Sequence, residues 1–128
     1  QSRHAILERL KGLARERVAV LYTTHYMEEA QGLCDRIAII DRGSLCAIGT
    51  PKQLIDQHGG RTIVHAEWRD ASQDSVQVVP IETDHPLEAL ARLQNELASQ
   101  GRELVGLRMD RPDLERVFLR LTGHALRD

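Results

Sequence analysis

The segment from residue 18 to residue 30 constrains the fold more than any other part of the chain. Its apolar, partly β-branched run at 18–23 predicts a strand buried inside a parallel sheet. Apolar residues then recur at helical spacing, so Thr24 or His25 is expected to cap a helix near 26–34. In open α/β sheets, ligands bind where the carboxyl end of a strand meets the next helix. His25 is therefore the first candidate for a functional residue.

Three blocks around this histidine follow one another in a recognisable order: Thr23-Thr24-His25-Tyr26-Met27-Glu28-Glu29-Ala30, Leu33-Cys34-Asp35-Arg36-Ile37-Ala38-Ile39-Ile40 and Gly49-Thr50-Pro51. They resemble the switch-histidine loop and the following strand of ABC-transporter ATPases, and their spacing is similar to that of the multidrug and daunorubicin-type exporter branch. The stretch 113–123 resembles the end of the small accessory domain in that branch, and 126–128 resembles its terminus. The chain thus resembles the C-terminal portion of an ABC-transporter ATP-binding subunit.

The resemblance implies a catalytic role for His25, because in the family this histidine contacts the γ-phosphate and helps to hold the attacking water. Phosphoryl transfer depends on positioning and charge stabilisation, and an imidazole can donate a hydrogen bond without a permanent full charge. The alternative for His25 is a capping or core residue without chemistry. The remaining histidines lack such a motif and are interpreted as surface or helix-end residues: His4, His58, His65, His85 and His124.

The motifs that hold nucleotide in this family are not found in the chain. The phosphate-binding GxxxxGK[ST] pattern is absent, as are the Walker B and signature segments. Gln1 and Ser2 resemble residues that follow the D-loop, so the resemblance implies that they lie near a subunit interface. ATP and Mg²⁺ are expected cofactors of the intact subunit. No metal site and no tightly bound nucleotide are expected in this chain, which should be inactive alone.

The predicted fold class is α/β, with two parts divided at Gly59-Gly60. Residues 1–60 are interpreted as the C-terminal piece of a P-loop ATPase sheet, in the order strand, helix, strand and hairpin. Its last helix begins with a capping box at Thr50-Pro51-Lys52-Gln53. Residues 61–128 predict a small α+β accessory domain with the order β-β-α-β-α and helices on one face of its sheet.

The amino-acid composition limits which kinds of partner and ligand the chain is expected to bind. Lys and Arg total 17 against 19 Asp and Glu, so no basic surface for nucleic acid is expected. No apolar run reaches membrane-spanning length and no signal peptide is visible. Cys34 and Cys46 stand apart from each other and from any ligand pattern, which favours reduced cytosolic thiols over a zinc site.

The resemblance implies a membrane permease and a second ATPase subunit as partners, and a peripheral place on the cytoplasmic face of the membrane. Open strand edges in the first part predict self-association of the chain alone. Two alternatives stay open: a stand-alone regulatory or ligand-sensing module, and an interaction protein. A sensor would need a polar, Gly-rich loop between a strand and a helix, and Thr83-Asp84-His85-Pro86 fits that requirement poorly.

Overall fold

The structure, a computed structural model, describes residues 2–124 and divides them into two compact units. Unit 1 extends to Gly59 and resumes at Asp113, and unit 2 comprises Gly60–Pro112. The elements follow in this order: α1 (Ser2–Arg15), α2 (Met27–Leu33), β1 (Ile37–Asp41), β2 (Ser44–Gly49), α3 (Pro51–His58), β3 (Thr62–Asp70), β4 (Val76–Thr83), α4 (Pro86–Ser99), β5 (Arg102–Asp110) and α5 (Leu114–Thr122). Gln1 and residues 126–128, which the sequence analysis singles out, lie outside the described residues.

The hairpin of unit 1 is confirmed. β1 and β2 pair antiparallel, from Ile37 opposite Gly49 to Asp41 opposite Ser44. Arg42 and Gly43 have positive φ angles of 49° and 76°, the conformation that a two-residue hairpin turn of matching twist requires. Alternate residues of β1 are buried, so one face of the hairpin belongs to the core of unit 1.

Helix α3 begins with the predicted capping box. The Gln53 backbone N–H donates to Thr50 Oγ1 at 3.1 Å, and the Thr50 N–H donates to Gln53 Oε1 at 2.9 Å. Pro51 occupies the first turn, where its missing N–H leaves no intrahelical bond unmade. Leu54 points inward and is 1% exposed, so the cap fixes the start of a helix that contributes directly to the core.

The core of unit 1 contains the last helix, α5. Its buried side chains share one cluster with residues of α2, the hairpin and α3; the buried members are Ala30, Ile37, Ile39, Leu54, Leu114, Val117 and Phe118. The structure differs here from the predicted division, which places the whole of 61–128 in the second part. The apolar stripe of α5 has the spacing of a helix that must bury one face, and that face is buried in unit 1.

Unit 2 has the predicted β-β-α-β order. β3 lies in the middle of a three-stranded antiparallel sheet with the order β4-β3-β5. Val64 pairs with Ile81 on one side and with Met109 on the other. Val64 and Ala66 are fully buried, and α4 contributes the buried Leu97. Unit 2 therefore has a core of its own.

The prediction of a strand at 18–23 is wrong. These residues form an irregular segment that is neither helix nor strand, Leu21 is 98% exposed, and the sheets of residues 2–124 are antiparallel rather than parallel. An apolar run forms a buried strand only where neighbouring strands complete its hydrogen bonds. The segment has no such neighbour within the described residues.

The helices of residues 2–124 include none with the length and apolar character that a membrane span requires.

Candidate functional site

His25 lies at the end of this irregular segment, directly before the residue that caps α2. Its side chain is exposed, and its ring stacks on that of Tyr26 with 4.2 Å between centroids and 33° between planes. Its exposure fits a group that meets a ligand from outside and does not fit a core histidine. The predicted helix after it is confirmed as Met27–Leu33, but the predicted cap is wrong: the N-cap is Tyr26, and neither Thr24 nor His25 occupies that position.

The carboxylate of Glu29 connects α2 to the irregular segment. Its Oε2 accepts hydrogen bonds from Tyr22 Oη at 2.9 Å and from Thr24 Oγ1 at 3.0 Å. Thr24 Oγ1 in turn accepts from the backbone N–H of Tyr26 at 3.0 Å. The residues on both sides of His25 are thereby attached to the helix that follows it.

Arg3 attaches α1 to the same place. Its guanidinium pairs with Glu29 and lies 3.7 Å from the centre of the Tyr26 ring. The ring of Tyr26 thus contacts both Arg3 and the imidazole of His25. A cation over an aromatic face is attracted by the ring quadrupole, so Arg3 stabilises the position of the ring against which His25 stacks.

The electrostatics of this cluster favour an ionised Glu29. Burial alone raises the pKa of the carboxyl group, whose side chain is 10% exposed. The hydrogen bonds from Tyr22 and Thr24 and the charge of Arg3 outweigh burial and hold the pKa of Glu29 below its usual range. The bond to Glu29, followed by burial, raises the pKa of the Tyr22 hydroxyl, which keeps its proton as a donor.

The sequence predicts the position of His25 but not the contacts that support it, which come from Arg3, Tyr22, Thr24 and Glu29. Glu28 and Glu29 are both predicted in the first turn of a helix, and periodicity alone does not distinguish their roles. Of the two predicted interface residues, Ser2 is exposed at the start of α1, and Gln1 lies outside the described residues. The contact between Arg3 and Glu29 joins residues from separate helices, and no local sequence pattern predicts it.

Among residues 2–124, no group of three or more His, Cys, Asp or Glu side chains is arranged to hold a metal ion. A shallow groove between α1 and α2 includes Glu28 and Glu29 in its lining but not His25. Cys34 and Cys46 are free thiols, and burial raises the pKa of the Cys34 thiol. At this site, His25 offers an exposed imidazole.

The chain is similar in sequence to several known ATP-binding proteins. It is 37% identical over its whole length to a linearmycin resistance ATP-binding protein of Bacillus subtilis, covering 47% of that protein. A Nod factor export ATP-binding protein of a Bradyrhizobium species is 38% identical over 98% of the chain and 43% of the relative. That of Ralstonia nicotianae is 38% identical over 100% of the chain and 44% of the relative. No family model matches the chain.

The chain spans less than half the length of these relatives. The similarity nevertheless extends over both units and includes the segment with His25. Identity at this level over a whole chain reflects common descent, and the relatives are ATP-binding proteins named for resistance or export. The chain belongs to the family of ABC-transporter ATP-binding proteins.

Proposed function

We propose that the chain is the C-terminal part of the ATP-binding subunit of an ABC exporter. In the intact subunit, ATP binding and hydrolysis would be coupled to export through a membrane permease. The observation that carries this proposal is the exposed His25 at the start of α2, within a chain related over its full length to ATP-binding proteins of resistance and export. The exported substrate is not assigned.

The two units correspond to two parts of that subunit. Residues 1–60 are the C-terminal piece of the ATPase domain, and residues from 61 onward form the accessory domain. α5 belongs to the sequence of the accessory part but completes the core of the ATPase piece. The separate core of unit 2, with Val64 and Ala66 fully buried, supports its interpretation as an independent module.

His25 is proposed as the catalytic residue of this chain. Its imidazole would donate a hydrogen bond to the γ-phosphate in the intact subunit and would respond to the loss of that phosphate. Stacking on Tyr26 fixes one face of the ring while the side chain stays exposed. A group held in place before the reaction loses little entropy when it meets its target, which is what charge stabilisation in a transition state requires.

The nucleotide and its Mg²⁺ would be held by parts of the subunit outside this chain. The chain contributes neither a phosphate-binding loop nor a described cluster of metal ligands. We therefore propose that the chain by itself binds ATP weakly and does not hydrolyse it.

The proposed partners are the permease and a second ATPase subunit, with Gln1 and Ser2 near the subunit interface. The intact subunit would lie on the cytoplasmic face of the membrane, attached through the permease. The chain alone is proposed to self-associate through the segment 18–23, since Val18, Val20 and Leu21 expose apolar surface there.

The function is tested by His25→Ala in the intact subunit. Because one contact is lost where charge develops, the turnover number should fall at least about tenfold, while nucleotide affinity changes little. His58→Ala is the matched control, since His58 ends α3 and has no proposed role. Steady-state ATPase assays and nucleotide titrations on both variants decide the matter, and unchanged turnover in His25→Ala would refute the catalytic assignment.

A further inference from the structure

Helix α2, which follows His25, is too short to hold itself in place. It has seven residues, and its N-cap residue Tyr26 makes no side-chain capping bond. Isolated helices below about 12–15 residues are marginal in water, so α2 depends on packing. Its buried residue is Ala30, and the neighbouring Met27 and Cys34 are partly buried against the same cluster.

Helix α5 supplies much of that packing. Leu114 and Val117 are fully buried, Phe118 is 7% exposed, and all three belong to the cluster that contains Ala30. The first helical residue also makes a polar contact, because the Leu114 backbone N–H lies 3.5 Å from Oε1 of Gln31 in α2. Helices α2 and α5 are thus joined by both apolar and polar contacts.

Helix α5 is itself fixed at both ends. At its start, Asp113 Oδ1 accepts from the Arg116 backbone N–H at 2.9 Å. At its end, Gly123 takes a positive φ of 75°, which lets its N–H donate to the Leu119 carbonyl at 2.8 Å. Nε2 of His124 then lies 3.0 Å from Oδ1 of Asp41, at the end of β1. A helix anchored in this way can serve as a rigid support.

Hydrogen bonds connect α2 to the residues on either side of His25. Glu29 in α2 accepts from Tyr22 and Thr24, which precede the histidine. The carbonyl of Tyr26, which follows it, accepts from the Ala30 N–H at 3.3 Å in the first turn of α2. Any displacement of α2 therefore moves the backbone on both sides of His25.

We propose that α5 is a positioning element for His25: its buried face holds α2, and α2 holds the histidine segment. The catalytic meaning of this arrangement rests on the function proposed above, whereas the dependence of α2 on α5 does not. Unit 2 (residues 60–112) lies between α3 and α5 in the chain. The position of His25 therefore depends on a helix that follows unit 2 in the sequence. Leu114 and Val117 are positioning residues in this sense.

The test is Val117→Ala in the full chain, with amide hydrogen exchange followed by NMR. The variant should speed exchange about tenfold at the amides of Tyr26, of Ala30 and of Cys34, the C-cap residue of α2. Exchange in the β1–β2 ladder should change less. Leu97→Ala is the matched control, because Leu97 is buried in unit 2. It should leave these amides unchanged.

The pattern of exchange separates positioning from plain stabilisation. A purely structural role for Val117 would speed exchange equally throughout unit 1, including the β1–β2 ladder. Either that uniform change or unchanged exchange in α2 would overturn the proposal.

A second pair of variants keeps the proposal testable if Val117→Ala does not fold. Gln31 is exposed, so Gln31→Ala removes the acceptor for the Leu114 N–H without opening the core. It should speed exchange at the Leu114 and Cys34 amides by about twofold, and Gln31→Glu, which keeps an acceptor oxygen, should restore the slower rate. Identical rates in Gln31→Ala and the unmodified chain would count against the contact and hence the proposal.

The two proposals fail separately. If His25→Ala leaves ATP turnover of the intact subunit unchanged, the catalytic role is refuted and the exchange result stands. If Val117→Ala leaves exchange in α2 unchanged, the support by α5 is refuted and the catalytic role of His25 is unaffected.

Discussion

Tyr22 donates a hydrogen bond from Oη to Oε2 of Glu29 at 2.9 Å, across the segment that contains His25. Thr24 donates to the same oxygen, and Arg3 pairs with the carboxylate. All three contacts stabilise the ionised carboxylate. Helix α2 and the irregular segment before it are therefore held together best when Glu29 carries its charge.

Acid should weaken this connection. Because the pKa of Glu29 in the folded chain lies below its usual range, ionisation of Glu29 contributes stability above the unfolded-state pKa of about 4.3. That contribution is lost as the pH falls through the lower folded-state pKa. Glu29→Gln should therefore unfold at a lower temperature than the unmodified chain at about pH 7, and the difference should shrink as the pH falls below about 4.3.

Circular dichroism melts across a pH series measure the effect of Glu29→Gln. Glu28→Gln is the matched control, because Glu28 is an exposed carboxylate in the same helical turn. Its melting temperature should follow that of the unmodified chain at each pH. Equal stability of Glu29→Gln and Glu28→Gln at neutral pH would contradict the assigned role of Glu29.

The cap of α3 offers a prediction about stability alone. Thr50→Ala removes the acceptor for the Gln53 N–H and should lower the free energy of unfolding of unit 1 by about 1 kcal/mol. Thr50→Ser keeps a hydroxyl oxygen at the same position and should recover most of the loss. Urea unfolding followed by circular dichroism compares the three chains, and a Thr50→Ala chain with unchanged stability would show that the capping box is not stabilising.

Local signals predict most elements of this chain. Thr50, Pro51 and Gln53 predict the start of α3, and the turn residues at 41–44 predict the hairpin, because capping and turn geometry depend on a few adjacent residues. The β-β-α-β order of unit 2 is predicted in the same way. These features need no knowledge of what lies elsewhere in the fold.

Nonlocal packing accounts for what the sequence does not predict. The apolar run at 18–23 predicts burial, but a strand also needs a partner, and none lies within the described residues. The stripe on α5 predicts a buried face without saying which unit covers it. Likewise, His25 is found by its motif, whereas the pairing of Arg3 with Glu29 depends on how α1 meets α2.

The chain alone should not act as an ATPase. It contains no phosphate-binding loop, and the backbone N–H groups and Lys of such a loop supply most contacts to phosphates. Titration of the purified chain with a fluorescent ATP analogue and Mg²⁺ should give no saturable binding at micromolar concentrations. The intact subunit serves as the positive control. Saturable micromolar binding to the chain alone would refute the proposed dependence on residues outside it.

Self-association of the chain should depend on the exposed segment before His25. Leu21 is 98% exposed and Val18 and Val20 are nearly half exposed, so the segment 18–23 offers apolar side chains together with a backbone that has no strand partner in residues 2–124. Two such segments can pair as strands, because pairing completes backbone hydrogen bonds and buries apolar surface in one step.

Leu21→Lys should therefore lower the apparent mass of the chain in light scattering across a concentration series, since a charge in the paired segment is repelled by the same charge in its partner. Leu87→Lys is the matched control, because Leu87 is 76% exposed on α4 and belongs to unit 2. It should associate as the unmodified chain does. If the unmodified chain keeps the mass of a monomer at every concentration, the exposed segment does not drive association. If both lysine variants dissociate alike, the effect comes from net charge and not from residues 18–23.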